Sequence, residues 1–262
     1  HVLLDAGVRY DFNRIDAKKF YKISRWEERG YEDDFSEIVI DREVEGSQYL
    51  TNPVFDFHNI SASLGLKYEL TSNSYILGNY SVSSRPPNPS ELFSDGLHHS
   101  AARIELGELR LDKEVSNRIS ASYNYNSSDL NLLIETFYNR INDYMFLEPF
   151  GVEQTIRGAF PVWNYVQRDS ELYGMDLSAN YIFSENLSFS NKSSYTLANE
   201  VDSDRPLIDI PAFNTKNTIT YNNTNWNNFS ISLINEWVFE QTQFPDNNFE
   251  ITLAESNENV LV

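Results

Sequence analysis

The sequence predicts an all-β fold, an antiparallel up-and-down transmembrane β-barrel, and three observations carry that prediction. About nine amphipathic segments alternate apolar and polar residues with the period of two that is typical of β-strands. These segments run to roughly 12 to 20 residues, whereas strands of soluble proteins are usually about 5 or 6 residues long. Short and long connections alternate strictly, which places the short ones on one rim and the long ones on the other.

The predicted elements follow one another without a break in composition. The first strand is followed by a long loop at 13–53, and further long loops are predicted near 86–108, 148–160 and 202–211. Tight turns are predicted at 71–73, 126–128, 184–186 and 223–225, and the last strand ends near Gln241. Residues 1–262 are therefore predicted to form a single partial β-barrel domain.

The alternation of side chains is clearest in the second long strand. Ile60, Ala62, Leu64, Leu66 and Tyr68 alternate with Ser61, Ser63, Gly65, Lys67 and Glu69. Aromatic residues gather near strand ends, as they do at lipid headgroups: Tyr144, Phe146, Trp163, Tyr165, Tyr181, Phe183, Trp237 and Phe239. The faces rich in Ser, Asn and Thr favour a water-filled or plugged lumen. A soluble β-sandwich or solenoid shares the alternation and is the alternative.

Composition excludes several classes of function. The chain has 39 acidic and 20 basic residues, a net charge of -19, which opposes binding to nucleic-acid phosphates. It contains no cysteine, so disulfides, thiolate metal sites and cysteine nucleophiles are absent. No nucleotide-binding loop, zinc-protease helix or nucleophile elbow occurs, so we expect no enzyme activity and no cofactor.

The stretch from Arg85 to Glu114 resembles the TonB-dependent outer-membrane receptors. Residues 85–92 read Arg-Pro-Pro-Asn-Pro-Ser-Glu-Leu, and residues 105–107 read Glu-Leu-Gly ahead of Leu109, Leu111 and Glu114. Three later stretches are similar to the same family and arrive in its usual order: 137–144, 173–176 and 210–214.

The resemblance implies a barrel of about 22 strands in the bacterial outer membrane, closed by an N-terminal plug. Its implied partners are outer-membrane lipid and lipopolysaccharide, a TonB-type energy-transducing protein that acts through the plug, and a zinc, haem or siderophore ligand. The chain begins at His1 and shows neither a plug nor an aromatic-ended last strand. Nine is also an odd number, whereas bacterial single-chain barrels have even counts, so we expect missing strands or a count that is wrong by one.

His98 and His99 are the only clustered histidines and are candidate ligands of a substrate metal or haem. Neutral imidazoles suit zinc, copper, nickel or haem iron, and Asp95 or Glu105 could add a carboxylate. Neighbouring side chains of an extended loop point in opposite directions, so at most one histidine reaches a given metal without a turn. The alternative is that all four are ordinary loop residues. Residues 95–99 and 104–107 are similar to receptors for zinc or haem.

Three further features have simple interpretations. The acidic loop contains Glu27, Glu28, Glu32, Asp33, Asp34, Glu37, Asp41, Glu43 and Glu45. Such a field would concentrate cations and repel anionic ferric siderophores, which favours a free metal or a metal-bearing protein as cargo. The alternative is a solvated, mobile loop bridged by divalent ions near lipopolysaccharide. Arg85 precedes prolines that end a strand. Glu135, Asp143 and Asp176 are predicted to line the lumen, where a carboxylate stays hydrated.

The function predicted from the sequence is import of a scarce metal-containing nutrient (zinc, haem or ferric siderophore) across the outer membrane. The alternative is a passive structural or adhesive surface β-protein, such as a lectin-like or repeat domain.

Overall fold

The computed structural model describes residues 1–22, 25–44, 48–245 and 256–261. In chain order its strands are β1 (Val2–Asp16), β2 (Phe20–Lys22), β3 (Val39–Val44), β4 (Gln48–Thr51), β5 (Val54–Thr71), β6 (Ser74–Arg85), β7 (Asp95–His98), β8 (Arg103–Leu106), β9 (Glu114–Asn126), β10 (Leu130–Thr155), β11 (Gly158–Ser184), β12 (Leu187–Glu200), β13 (Asn214–Asn223), β14 (Phe229–Val238) and β15 (Ser256–Leu261). The helices are α1 (Arg25–Glu28), α2 (Tyr31–Phe35), a 3-10 turn at Ser36–Ile38, and α3 (Pro89–Phe93). Within the described ranges, no helix is long and apolar enough to cross a membrane.

Ten strands form one continuous antiparallel path in the order β1, β5, β6, β9, β10, β11, β12, β13, β14, β15. When the short strands β2, β3, β4, β7 and β8 are left out, each strand of this path pairs with the next strand along the chain. This is the predicted up-and-down arrangement. The nine predicted long strands are confirmed, and β15 adds a tenth that pairs with β14. The sheet is open, with β1 and β15 at its edges.

The short connections form one rim, as predicted. The turn after β5 is held against the turn after β9, because the amide of Asn126 donates to the carbonyl oxygen of Asn73 at 2.8 Å. Asn73 returns a hydrogen bond through its side chain to the carbonyl oxygen of Asn126, also at 2.8 Å. Asn222 and Asn186 make the same backbone contact further along the rim. These bonds fix the register of neighbouring hairpins where the turns are shortest.

The two faces of the sheet have opposite chemistry. Directly opposed residues of antiparallel neighbours share a face, and Leu64, Tyr80, Ile119 and Tyr138 oppose one another in sequence across β5, β6, β9 and β10. We call this the apolar face; its side chains are exposed, with 82% of Val8 accessible. Ser63, Ser81, Arg118 and Asn139 oppose one another in the adjacent row and belong to the polar face.

The long connections carry folded elements of their own. The first contains a three-stranded sheet in the order β2, β4, β3, together with α1, α2 and the 3-10 turn. The second contains α3 and the hairpin of β7 and β8. The connection after β12 is a turn at 201–203 followed by an isolated bridge between Asn199 and Pro206.

The predicted loop at 148–160 is wrong. β10 and β11 stay paired as far as Thr155 and Gly158, so this connection is the end of a long β-hairpin. Register shifts between Ile141 and Tyr144 and between Pro149 and Gly151 interrupt the alternation of side chains. Such bulges break the period of two without ending the strand, so the pattern stops before the strand does.

Gly174 of β11 lies where the backbone leaves no room for a side chain. A Cβ atom there would overlap the carbonyl oxygen of Tyr195 and stand 3.0 Å from the ring of Phe137. The glycine of the 173–176 stretch is therefore required by the close approach of β12 and by the aromatic ring that covers it.

We expect Gly174→Ala to lower the free energy of unfolding of the full-length receptor by about 1–3 kcal/mol, because backbone must move to admit the methyl group. Gly78→Ala is the matched control, since a Cβ at Gly78 meets nothing within 4 Å, and its effect should stay within about 0.5 kcal/mol. Urea titration in detergent measures both. Equal effects of the two substitutions would contradict this role of Gly174.

Candidate functional site

The elements of the second long connection pack against the β10–β11 hairpin. β8 pairs in parallel with β11, with Ile104 beside Val162 and Leu106 beside Asn164. Ile104, Leu106 and Val162 form a buried cluster against Leu97 and Phe160. The β7–β8 hairpin is thus attached to a strand of the main sheet. Its residues outside the buried cluster are therefore held in a fixed position.

Arg85 ties this connection to the end of β6. Its guanidinium donates to both carboxylate oxygens of Glu91 at 3.0 and 3.1 Å and to both oxygens of Glu114 at 2.9 and 3.1 Å. Asn88 caps α3, and Glu91 closes a capping box by accepting from the Asn88 amide at 2.7 Å. Glu114 also accepts from the Met145 amide at 3.3 Å. We call Arg85, Glu91 and Glu114 the rim clamp.

The rim clamp gives a physical reason for the Arg-Pro…Glu-Leu…Glu pattern. The prolines end β6, as the sequence indicated, but Arg85 also has a role beyond punctuation because it joins two carboxylates that lie 23 residues apart. Two bidentate pairs on one guanidinium use the planar fork of arginine, which a lysine cannot reproduce.

The first long connection is a folded unit and packs on the second. Trp26, Tyr31 and Leu109 form a buried cluster, and the Leu109 amide donates to the Tyr31 hydroxyl at 3.2 Å. Burial raises the pKa of Tyr31, so its hydroxyl stays protonated. Arg110 donates to the carbonyl oxygens of Arg29 and Gly30 at 2.9 and 3.1 Å.

Acidic residues of the two long connections are paired with arginines. Asp34 pairs with Arg110 at 2.5 Å, Glu32 pairs with Arg42, and Arg29 pairs with Glu108 at 3.4 Å. The interpretation as a solvated, mobile loop does not fit a segment with its own sheet and buried aromatic residues. Glu45 lies outside the described residues.

Three of the four predicted site residues meet at a cavity of about 720 Å³ on the rim of the long connections. Asp95, His98 and Glu105 line it together with Arg103, Leu147 and Tyr165. His98 Nδ1 lies 3.1 Å from Glu105 Oε1, and Arg103 Nε donates to the same oxygen at 2.8 Å. Burial would raise the pKa of Glu105, but the hydrogen bonds from Arg103 and His98 outweigh it and hold the pKa below its usual range.

His99 and Asp95, the other two predicted site residues, differ from His98 and Glu105 in their surroundings. His99 is exposed in the turn between β7 and β8 and does not line the cavity. The side chain of Asp95 is 7% exposed and lies 3.6 Å from Arg25. No group of three or more His, Asp or Glu side chains suited to one metal ion occurs among the residues described. The cavity therefore offers one exposed imidazole beside carboxylates that face arginines.

Sequence reasoning did not assign Arg103, Arg25 or Tyr165 to this site, and it placed Tyr165 among the aromatic residues at lipid headgroups. Arg103 and Glu105 alternate in a short strand, so their placement on one face was a usable signal. Arg25 comes from the first connection and Tyr165 from β11, and nothing in the spacing of the sequence links them to residues 95–105.

The polar face carries a second concave surface of about 470 Å³ between β10 and β14. Glu135, Asp176, Lys192, Lys216 and Glu236 line it, with Lys216 3.6 Å from Glu236. Glu135 and Asp176 thus lie on the polar face, as predicted for lumen residues. Asp143 lies in the bulge of β10, with positive φ, and its amide donates to Asp169 at 3.1 Å.

The comparisons with known proteins identify the class of protein. The family model for the TonB dependent receptor-like β-barrel matches residues 1–254, and the chain belongs to this family. No curated protein sequence matches the chain.

Solved structures with the same fold include three receptors of low sequence identity. The copper transporter OprC has a TM-score of 0.77 and 15% identity, over 99% of this chain and 37% of that one. The ferric yersiniabactin uptake receptor FyuA from Yersinia pestis has a TM-score of 0.60 and 14% identity, over 83% and 31%. The Serratia marcescens hemophore receptor HasR, solved with its hemophore HasA and heme, has a TM-score of 0.61 and 14% identity, over 90% and 41%. The chain thus spans less than half the length of each.

We expect Arg85→Lys in the full-length receptor to speed proteolytic cleavage within 86–108 roughly three- to tenfold, because one ammonium group cannot hold both carboxylates and the open form becomes more populated. The increase is limited by the partial exposure of Arg85, whose side chain is 42% accessible. Arg9→Lys is the control, since Arg9 is 75% exposed and its ion pair within the described ranges is with Asp11, two residues along the same strand. Unchanged cleavage in Arg85→Lys would show that the rim clamp does not hold the connection.

Proposed function

We propose that the chain is the barrel portion of an outer-membrane receptor that imports a scarce, metal-containing nutrient. The cavity at the rim of the long connections carries this proposal, because it places an exposed imidazole and an arginine together on elements fixed to the sheet. Membership of the TonB-dependent receptor family supports import as the activity. No step of this function changes the cargo chemically, so the proposed protein is a transporter and not an enzyme.

Zinc, haem and ferric siderophores were the expected cargoes, and the cavity favours a chelated metal over a bare ion. A protein-bound zinc ion needs three or four ligands, and Glu105 is already occupied by His98 and Arg103. His98 contacts Glu105 through Nδ1 and Ser100 through Nε2, at 3.1 and 3.3 Å. Its side chain is 55% exposed, so a metal or a chelate that approaches from the rim can replace the exposed contact with Ser100. Arginine recognises carboxylate and similar anionic groups. A haem or a ferric siderophore presents both a metal and such groups.

The size of the cavity and the cargoes named for related structures also favour a chelated metal as the cargo. A volume of about 720 Å³ lies within the range of roughly 300–1,000 Å³ that is usual for small-molecule sites. The related structures are a copper transporter, a ferric yersiniabactin uptake receptor and a receptor solved with heme. Pairing of Asp34, Glu32 and Glu108 with arginines also weakens the acidic field that would repel an anionic cargo.

The proposed location follows from the two faces. In an outer-membrane barrel, an apolar band meets lipid and the interior is polar, and the exposed aliphatic and aromatic side chains of the apolar face suit hydrocarbon. The proposed partners are therefore lipid and lipopolysaccharide, a plug within the polar lumen, and a TonB-type protein that supplies energy through the plug. No specific observation favours the alternative of a passive adhesive protein.

We expect His98→Ala in the full-length receptor to weaken haem or ferric siderophore binding about tenfold, because the cavity then loses its one exposed imidazole. His99→Ala is the matched control, because it removes a neighbouring imidazole that does not line the cavity. Growth of metal-starved cells on haem, a ferric siderophore or zinc chloride as sole source, with binding to the purified receptor, measures the effect. If His98→Ala and His99→Ala behave alike with every source, this cavity is not the cargo site.

A further inference from the structure

Three contacts hold Arg103 at the wall of the cavity on the rim of the long connections. Its backbone belongs to β8, which pairs with β7 on one side and with β11 on the other. Its Nε donates to Glu105 Oε1 at 2.8 Å. The central carbon of its guanidinium lies 4.8 Å from the centroid of the Trp163 ring, where the electrons of the ring face attract a cation. The side chain is therefore fixed before any ligand binds.

The two terminal nitrogens of Arg103 remain available to a ligand. Among the described residues, the hydrogen bond and the ion pair of Arg103 both go to Glu105 through Nε, and none engages Nη1 or Nη2. The side chain lines the cavity and is 28% exposed. Two terminal N–H groups in one plane match the two oxygens of a carboxylate. A fork that is already fixed loses little conformational freedom when it binds.

An imidazole lies beside this fork. His98 directly opposes Arg103 across the β7–β8 hairpin, so the two side chains share a face and their Cβ atoms are about 4.5–5.5 Å apart. Hydrogen bonds hold the pKa of Glu105 below its usual range, so its carboxylate is ionised and can only accept. His98 Nδ1, 3.1 Å from Glu105, therefore donates to it. In the neutral imidazole Nε2 then keeps its lone pair, next to the hydroxyl of Ser100 at 3.3 Å.

We infer that the cargo of this cavity is a metal chelate that carries a free carboxylate, with Arg103 as the residue that binds this carboxylate and Nε2 of His98 directed to the metal. This inference rests on the proposed function of the cavity. Glu105 orients both side chains and does not itself bind the metal, as carboxylates placed behind metal-binding histidines do.

The charges at the cavity favour this class of chelate over two others. Arg103 is paired with Glu105, and Asp95 lies 3.6 Å from Arg25, so the cavity has no excess of positive charge to attract a highly charged anion. A ferric tris-catecholate is such an anion, and its catecholate oxygens are bound to the metal. A ferric tris-hydroxamate without other groups is neutral and offers the guanidinium no anionic partner. A free carboxylate adds a single negative charge at the fork.

Two pairs of probes that differ only in free carboxylates test the class of cargo. One pair is haemin and its dimethyl ester, and the other is a ferric tris-hydroxamate whose terminal amine is either succinylated or acetylated. In the full-length receptor in detergent, we expect the carboxylate member of at least one pair to bind about ten- to a hundredfold more tightly than its partner. Equal affinities within every pair that binds, or tightest binding of a ferric tris-catecholate, would overturn the inference.

Variants of Arg103 test its role with the same probes. Arg103→Gln should lower the affinity for the carboxylate member to that of its partner and leave the partner's affinity unchanged, because the two changes remove the same interaction. Arg103→Lys should fall between Arg103→Gln and the unaltered receptor, because it keeps the charge without the fork. Arg157→Gln is the matched control, since Arg157 is exposed in the turn between β10 and β11 and does not line the cavity.

The pattern of losses separates recognition from structure and this inference from the proposed function. An equal loss of affinity for both members of a pair in Arg103→Gln would show a structural role and overturn Arg103 as the carboxylate-binding residue. A probe that binds and needs His98, but binds equally well without its carboxylate, would overturn this inference and leave the proposed function intact. If none of the five probes binds, the cavity is not a site for a chelated metal, and both fail together.

Discussion

The hydrogen-bonded ladder between antiparallel neighbours is the constraint on which the rest of this structure depends. A strand that crosses hydrocarbon must pair every backbone donor and acceptor with its neighbours, because lipid offers no partner. Pairing fixes the register, and register fixes the face on which each side chain lies. Leu64, Tyr80 and Ile119 share one face for this reason, and Ser63, Ser81 and Arg118 share the other.

The rim of the long connections uses a different kind of interaction. Its elements are too short to be stable as isolated helices or hairpins, and they are attached to the sheet by charge-assisted hydrogen bonds and small apolar clusters. The rim clamp of Arg85, Glu91 and Glu114 holds α3, while pairing of β8 with β11 holds the β7–β8 hairpin. The candidate cavity is therefore positioned by the barrel, although its residues come from several connections.

The sequence predicted the elements that obey a simple period and missed those that do not. Long amphipathic strands and tight turns follow from the alternation at 60–69 and from Asn and Ser at the turns. The end of the β10–β11 hairpin was missed because bulges near Asp143 and Phe150 break the alternation. The small sheet of the first connection was missed because its strands are only three to six residues long, too short for a period to show.

The candidate site was also predicted in part from the sequence. Asp95, His98 and Glu105 come from one short stretch of sequence, and the hairpin brings them to one cavity. His99 was a candidate with them, although alternation of side chains allowed only one of the two histidines to reach a given metal without a turn. The structure places His98 at the cavity and His99 in the turn outside it. Tyr165 lines the cavity and Arg25 lies beside Asp95 through tertiary packing alone, which no local spacing reveals.

Site-directed spin labelling along β5 of the full-length receptor in lipid tests the two-faced barrel most directly. Labels at 60, 62, 64 and 66 should collide more with dissolved oxygen, which concentrates in lipid, and labels at 61, 63, 65 and 67 more with a water-soluble nickel complex. We predict a strict alternation with a period of two. Low accessibility to both reagents at the even positions would show that the apolar face is packed against protein, and it would contradict a membrane-spanning barrel.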